Sequence, residues 1–286
     1  MRIFEKIAEM RTASRAVRRD GKSLSLVPTM GALHEGHLSL VRAAKLQSDV
    51  VSVSLFVNPM QFGPTEDFAK YPRSFERDCE LLTNEGVDLL FSPATQEMYP
   101  ESGVTFVTVE GMSDSLCGRS RPGHFRGVTT VVSKLFHIIE PDVAFFGQKD
   151  AAQVSIIRRM VRDLNFPVRI VGCPIVREPD DLAMSSRNAY LSPAQRKSAL
   201  VLSRSLQRVE ELFLAGAHNS LELICAAEEV FTTEPDVRLD YFEIVDPDTL
   251  ETIDKIARPA LAAVAAFVGT TRLIDNVVLT PSAKAL

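Results

Sequence analysis

A mostly parallel α/β sheet wrapped by helices, followed by a smaller α+β domain, is the fold this 286-residue sequence predicts. Three observations carry the prediction. Short β-branched runs alternate with helical patterns through the first two thirds of the chain, as in successive βαβ units. The run Val50-Val51-Ser52-Val53-Ser54-Leu55-Phe56-Val57 is nearly continuous in apolar character, as a strand buried on both faces requires. Beyond about residue 179 the order changes to helices and then strands. The expected division is a Rossmann-like doubly wound domain over residues 1–178 and a small C-terminal α+β lid domain over 179–286.

Taken in order, residues 23–29 read as a strand, and 38–46 as a helix with Leu38, Val41 and Leu46 apolar. The strand at 49–57 stops at Asn58-Pro59, because the residue before proline is pushed out of regular structure. Residues 75–85 are helical, with Phe75, Cys79 and Leu82 on one face. A strand at 87–91 is closed by Ser92-Pro93. Val131, Val132, Leu135, Phe136 and Ile139 make one stripe of a helix at 128–139. A strand at 143–146 ends at Gly147, a helix follows at 151–164, and a strand at 168–171. Ser192-Pro193 supplies an N-cap serine and a first-turn proline for a helix running to about Ala215, with Gly216 as terminator. A second helix over 220–232 precedes strands at 238–245, 262–268 and 273–278. Parallel sheets bind ligands beyond the carboxyl ends of their strands, so the chemistry is expected there.

Composition narrows the function. No run of about twenty apolar residues is present to span a bilayer. Met1-Arg2-Ile3-Phe4-Glu5-Lys6 lacks the apolar core of a secretory signal. Cys79, Cys117, Cys173 and Cys225 lie far apart with no Cys-x-x-Cys pair, as expected of free thiols in a reducing cytoplasm. The net charge of −5 and the lack of a basic stripe argue against a chain that grips nucleic acid. Arg15, Arg18 and Arg19 cluster, but Asp20 follows, and a solvated helix face accounts for them.

Three constellations carry chemistry. Pro28-Thr29-Met30-Gly31-Ala32-Leu33-His34-Glu35-Gly36-His37 lies between the first buried strand and the next helix. Gly31 permits a tight turn and Gly36 a close backbone approach. A helix N-terminus suits phosphate, and two histidines three apart can together donate to phosphate oxygens. Zinc fits poorly, since the helical zinc motif spaces its histidines four apart and His124, His137 and His218 add no third-ligand pattern. At the end of a later strand, Gly147-Gln148-Lys149-Asp150 offers a lysine to phosphate and a carboxylate to ribose hydroxyls or a metal ion. Met184-Ser185-Ser186-Arg187-Asn188 sets two hydroxyls beside a planar guanidinium. Other signatures are missing: Gly21-Lys22-Ser23 has Ala16 where a Walker loop needs glycine, and neither Gly-x-Gly-x-x-Gly nor Gly-x-Ser-x-Gly occurs. Direct transfer without a covalent enzyme intermediate is the expected chemistry.

At these residues the sequence resembles the pantothenate synthetases over its whole length. His34-Glu35-Gly36-His37 looks like the His-x-Gly-His signature of the nucleotidyltransferase and class I synthetase superfamily. Met184-Ser185-Ser186-Arg187 looks like that superfamily's second, mobile segment. Phe56-Val57-Asn58-Pro59-Met60-Gln61-Phe62-Gly63, Arg121-Pro122-Gly123-His124-Phe125-Arg126-Gly127 and Ser185-Ser186-Arg187-Asn188-Ala189-Tyr190-Leu191 match the family's own blocks in order. The resemblance implies formation of pantoyl adenylate from pantoate and ATP with Mg²⁺, releasing pyrophosphate. Attack by β-alanine then yields pantothenate and AMP. It implies that Pro28, Met30, Gly31, Ala32, Leu33, His34, Glu35, Gly36 and His37 line the ATP site, with His37 as proton donor. Gly147, Gln148, Lys149, Asp150 and Val176 would hold the nucleoside, Asp150 being the candidate metal ligand. Met184, Ser185, Ser186 and Arg187 would reach the triphosphate with Lys149. Gln61 and Gln153, with Asn58, would take pantoate and β-alanine, and a homodimer is expected. Gln148 stands where the family often has glutamate, and Ala151-Ala152 where bulkier residues are common. An adenylyltransferase acting on a phosphate acceptor is the rival enzyme, but it would favour Arg or Lys in place of Gln61 and Gln153. A synthetase-like nucleic-acid binder and an inactive nucleotide sensor are weaker rivals.

Overall fold

The computed structural model describes residues 1–64, 66–101 and 103–281. Two compact units emerge. The first comprises Met1–Ser113, Arg121–Gln148 and Ile156–Pro174, and the second Asp114–Ser120, Lys149–Ser155 and the chain from Ile175 onward.

The first unit begins with β1 (Arg2–Phe4) and α1 (Ile7–Arg19), followed by β2 (Leu24–Thr29), α2 (Glu35–Lys45), β3 (Val50–Leu55), α3 (Phe75–Asn84) and β4 (Leu89–Phe91). After the short helices α4 (Thr95–Met98) and α5 (Cys117–Ser120), the last belonging to the second unit, come α6 (His124–Ile139) and β5 (Val143–Gly147). Then follow α7 (Ala151–Asp163) and β6 (Arg169–Cys173). The sheet order is β1-β4-β3-β2-β5-β6, with every neighbour parallel. Strand order reverses between β2 and β5, the switch point beyond whose strand ends such folds bind ligands. All six β3 residues are buried, as its continuous apolar run requires. Val27, Val53, Leu90 and Phe145 meet Leu33, Leu40 and Val41 in one core layer.

Two boundaries differ from the sequence reading for local reasons. α2 starts at Glu35 because its end is set by side-chain caps upstream of the apolar stripe. α6 starts at His124, directly after Gly123 at φ +81. β1, three residues long, carries no readable period.

The second unit holds α8 (Pro193–Ala199), α9 (Val201–Leu214) and α10 (Ser220–Phe231) against an antiparallel sheet of β7 (Val237–Val245), β8 (Ala260–Val268) and β9 (Thr271–Leu279), in the order β7-β8-β9. The helix expected from Ser192 to about Ala215 is two helices meeting at Leu200, which caps both. Ser192 and Gln195 form a reciprocal capping box at its start. Ala260, Ala262 and Ala266 of central β8 are fully buried, and these small residues let Val209, Phe213 and Leu223 approach the sheet closely.

Candidate active site

The segment joining β2 to α2 is held by its own backbone. Gly31 (φ +84) and Ala32 (φ +51) are successive left-handed residues, a turn that gathers N–H groups into a concave cradle. A buried carboxylate from α3 fills it: Asp78 Oδ2 accepts from Ala32 N–H at 2.8 Å and Oδ1 from Leu33 N–H at 2.9 Å. The Ser74 hydroxyl donates to Oδ1 at 3.2 Å, and Asp78 is only 2% exposed. A Cβ at position 31 would stand 3.0 Å from Asp78 Oδ2, in a conformation side chains already disfavour.

His34 is the N-cap of α2. Its Nδ1 accepts from Gly36 N–H at 3.2 Å, and His37 Nδ1 accepts from His34 N–H at 3.3 Å. Two histidines thus perform the reciprocal capping more often made by serine and glutamate. An accepting Nδ1 places the ring proton of a neutral imidazole on Nε2 in each case. The rings lie 4.1 Å apart. This pair of N–H donors at the positive end of α2 is suited to an anion. The flanking residues contribute backbone only: Leu33 is in the core, and the Glu35 carboxylate pairs with Arg42. Pro28 lies within β2 and Met30 just beyond it, both half-buried.

Beyond β3, Asn58 caps the short helical turn Pro59–Gln61 and is 1% exposed. Its amide is fully engaged. Nδ2 donates to Gln61 Oε1 and to Gly127 O, both at 3.1 Å, while Oδ1 accepts from Tyr99 OH at 3.0 Å and Met60 N–H at 3.3 Å. Asn58 thereby holds the Gln61 side chain in place. Burial pushes the Tyr99 phenol up to about 12, so it stays a donor. Gln61 Nε2 lies 3.2 Å from Met30 Sδ, and the Gln61 carbonyl accepts from His124 Nδ1 at 2.8 Å. Arg121 donates to His124 Nε2 at 3.0 Å and forks onto Glu66 at 2.9 and 2.5 Å. Gly127 is required here: a Cβ would meet Met60 O at 2.2 Å.

In the second unit, Lys149 and Asp150 follow the end of β5. Asp150 Oδ1 accepts from Gln153 N–H at 3.2 Å, fixing the first turn of α7. Asn276 Nδ2 donates to Lys149 O at 3.1 Å. Arg177 forks onto buried Asp275 at 2.7 and 3.0 Å. Burial pushes the Lys149 ammonium below the usual lysine range; Asp150 and Asp275 oppose the shift while Arg187 adds to it. Burial likewise raises the Asp275 carboxyl, against the pull of Arg177. Lys149, Asp150, Asp275 and Asn276, with Cys117 and Tyr241, line a cavity of about 10 Å³, roughly the space of one water.

Val176 O accepts from Met184 N–H at 3.0 Å, closing the loop that presents Ser185, Ser186 and Arg187. Ser185 Oγ accepts from Arg187 N–H at 3.2 Å, and buried Asn188 donates to Glu178 Oε1 at 2.7 Å and Ala183 O at 3.1 Å. Gly147 and Gln148 fall in the first unit, half-buried.

The structure thus assembles His34, Gly36 and His37 with the 31–33 turn, and Asn58 with Gln61. It separately gathers Lys149 and Asp150 in the second unit. Asp78, Arg121, His124 and Glu66, and likewise Asp275, Arg177 and Asn276, escaped sequence reasoning. Only Arg121 and His124 carried a signal, in the block 121–127. Among the described residues, no group of three or more His, Cys, Asp or Glu is placed to hold a metal ion by itself.

Comparison with known proteins agrees with these features. The family model described as Pantoate-beta-alanine ligase matches residues 2–278. A pantothenate synthetase of Koribacter versatilis (strain Ellin345) is 61% identical over 285 residues, covering 100% of this chain and 98% of the relative. One from Thermotoga neapolitana is 56% identical over 279 residues, covering 98% and 100%. Among solved structures, the pantothenate synthetase of Thermus thermophilus superposes with a TM-score of 0.93 at 47% identity, covering 98% of this chain and 100% of that one. A pantoate-beta-alanine ligase from Francisella tularensis, complexed with beta-gamma ATP and beta-alanine, gives 0.75 at 32% identity, covering 97% of each. By its fold, its His-x-Gly-His turn and a family match spanning almost its whole length, this chain belongs to the pantoate-β-alanine ligase family.

Proposed function

We propose that the protein condenses pantoate with β-alanine, using ATP, through pantoyl adenylate. In the first step the pantoate carboxylate attacks the α-phosphorus, the bond to the β-phosphate breaks, and pyrophosphate leaves. In the second the neutral amine of β-alanine attacks the acyl carbon, the bond to AMP breaks, and one proton is released.

The observation that carries this reading is the doubly capped turn at His34 and His37. Its two Nε2–H donors lie where the chain leaves β2, at a helix N-terminus, and donate without reorganising as phosphate charge develops. His37 is the proposed donor to the leaving pyrophosphate. Lys149, Ser185, Ser186 and Arg187 serve the triphosphate, and Met30 to His37, Gly147 to Asp150, Val176 and Met184 serve ATP as a whole. Gln61 and Gln153 take pantoate, since neutral amides both donate and accept toward a ligand bearing hydroxyls and a carboxylate. Asn58 acts through Gln61.

Magnesium is usually held by one or two carboxylates together with substrate phosphates and water. Asp150 fits such a single-carboxylate role, because only its Oδ1 is engaged in capping α7. The ion would neutralise triphosphate charge. The reading extends to residues 1–178 as the ATP and pantoate domain, 179–286 as its cover, a homodimer, and the cytoplasm. The cysteines, unpaired among the described residues, support a reducing compartment.

The test is release of AMP and pyrophosphate from ATP and Mg²⁺ with pantoate and β-alanine each supplied or withheld. Pyrophosphate with pantoate alone, and AMP only with both, is expected. If pantoate elicits neither product, the substrate assignment fails and transfer of AMP to a phosphate acceptor becomes the better reading.

A further inference from the structure

β9 carries two adjacent buried polar residues, Asp275 and Asn276, between the apolar pairs Leu273-Ile274 and Val277-Val278. Successive side chains of a strand point to opposite faces of its sheet. Asp275 lies opposite Val264 of β8, and Asn276 opposite Ala263. Directly opposed residues share a face. Asp275 therefore stands on the face that Val264, Leu273 and Leu279 turn toward α9 and α10, and Asn276 stands on the other. An ionised carboxylate in such an apolar layer is costly unless paired. Arg177 forks onto it, at 2.7 Å to Oδ2 and 3.0 Å to Oδ1, and Oδ1 also accepts from Asn276 N–H at 2.8 Å. A buried pair of this kind often adds no stability over apolar residues of the same volume, so its use has to be sought in what it holds.

Arg177 holds the neck of a small hairpin. Its Nη1 also donates to Asp181 O at 3.0 Å, and Arg177 and Ala183 face each other in an antiparallel bridge. Glu178 N–H donates to Leu182 O at 2.9 Å and Met184 N–H to Val176 O at 3.0 Å. The second arm of this hairpin continues into Ser185, Ser186 and Arg187. On the opposite face of β9, Asn276 Nδ2 donates to Lys149 O at 3.1 Å, in the turn Gln148–Asp150. We propose that Asp275 and Asn276 are positioning residues for adenylate formation: Asn276 sets the Lys149 turn, and Asp275, through Arg177, sets the loop that carries Ser185, Ser186 and Arg187. The inference rests on the reading that Lys149 and Arg187 serve the triphosphate, and it names what fixes their spacing. Neighbouring residues of a strand lie about 3.4 Å apart along it, so both grips share one rigid frame. Such a frame matters because a misplacement of about 1 Å at a reacting group can cost about 10²-fold in rate.

Measuring the two half-reactions separately tests this role. Pyrophosphate release from ATP and pantoate needs the triphosphate held in place, whereas attack of β-alanine on supplied pantoyl adenylate does not. Asn276→Ala should slow the first by about 10²-fold and leave the second near the unaltered rate. Asp275→Asn keeps the side-chain volume and an acceptor for Asn276 N–H but loses the charge that meets Arg177. It should give the same split, and it stands in where Asp275→Ala fails to fold. Lys149→Met is the control. If Lys149→Met leaves pyrophosphate release untouched, the triphosphate reading beneath this inference has failed. If Lys149→Met slows release while neither Asn276→Ala nor Asp275→Asn does, the positioning role alone is overturned. Equal losses in both half-reactions mark a merely structural pair and overturn it as well. In a Lys149→Met background Asn276→Ala should add little, because it acts through the lysine turn; full additivity of the two losses overturns that link.

Discussion

Around His34 and His37 the candidate site is made of backbone and neutral rings; around Lys149 it is made of buried charge. In the first region the N–H groups of Ala32, Leu33, His34 and Gly36 are met by Asp78 or by the two histidine rings, and the geometry exists without ligand. In the second, the lysine ammonium is desolvated beside Arg187, and burial raises the Asp275 carboxyl against the pull of Arg177. The first arrangement is preorganised with little strain on the fold, whereas the second holds a destabilised cation that an anionic ligand would relieve.

Removing one key group from each region should expose this contrast most strongly. His37→Ala is expected to slow pyrophosphate release by about 10²–10³, the scale of one lost transition-state donor. It also removes a cap, so the ligand-free protein should melt lower. Lys149→Met should also lower activity, yet melt higher. The sign follows from linkage: burial lowers the folded-state pKa, so the lysine penalises the fold fully below that value. The penalty fades as pH rises toward the ordinary lysine range, and the gain from Lys149→Met should fade with it. Scanning calorimetry from neutral to alkaline pH decides, and a lower melting point for Lys149→Met near neutrality would remove the contrast.

Asp78→Ala should come next. It strands two backbone donors at Ala32 and Leu33, at about 1–3 kcal/mol each, and urea unfolding should report the loss. Activity should fall through kcat rather than through the affinity for β-alanine. Gly127→Ala pushes a methyl into Met60 O, an overpacking worth about 1–3 kcal/mol. Because that contact supports Gln61, the KM for pantoate should rise while that for ATP holds; a matched rise in both would show that the loop serves the nucleotide too. The smallest effect expected is from Gln61→Ala, a loss of about tenfold in pantoate affinity with ATP affinity kept. Isothermal titration with each ligand measures it, and equal losses would count against a specific pantoate contact.

The contrast also explains what the sequence discloses. The His34 to His37 turn is legible because cap, glycine and donors all fall within four residues. Asp78 is not, because the N–H groups it accepts lie 45 and 46 residues away, and a lone carboxylate in a helical run looks like any solvated one. Glu66 and Asp275 escape for the same reason, whereas Arg121 and His124 show in the block 121–127 without their partners. The strands β2 to β6 announce themselves by apolar runs punctuated with proline and glycine. The single helix read from Ser192 fails at Leu200, where no glycine or proline marks the break.

The second unit borrows two segments from earlier in the chain. Arg119 forks onto Glu243, Ser120 donates to Asp240, Cys117 meets the Tyr241 hydroxyl, and Ser155 donates to Pro247 O. The C-terminal part is consequently not a cassette. A gene fusion that exchanged residues from 175 onward between relatives would separate β7 from the residues that satisfy it. Tyr241, whose phenol burial holds well above its usual range, would lose its sulfur partner. Recombination within the family should therefore tolerate crossovers only where residues 114–120 and 149–155 travel with the sheet they serve.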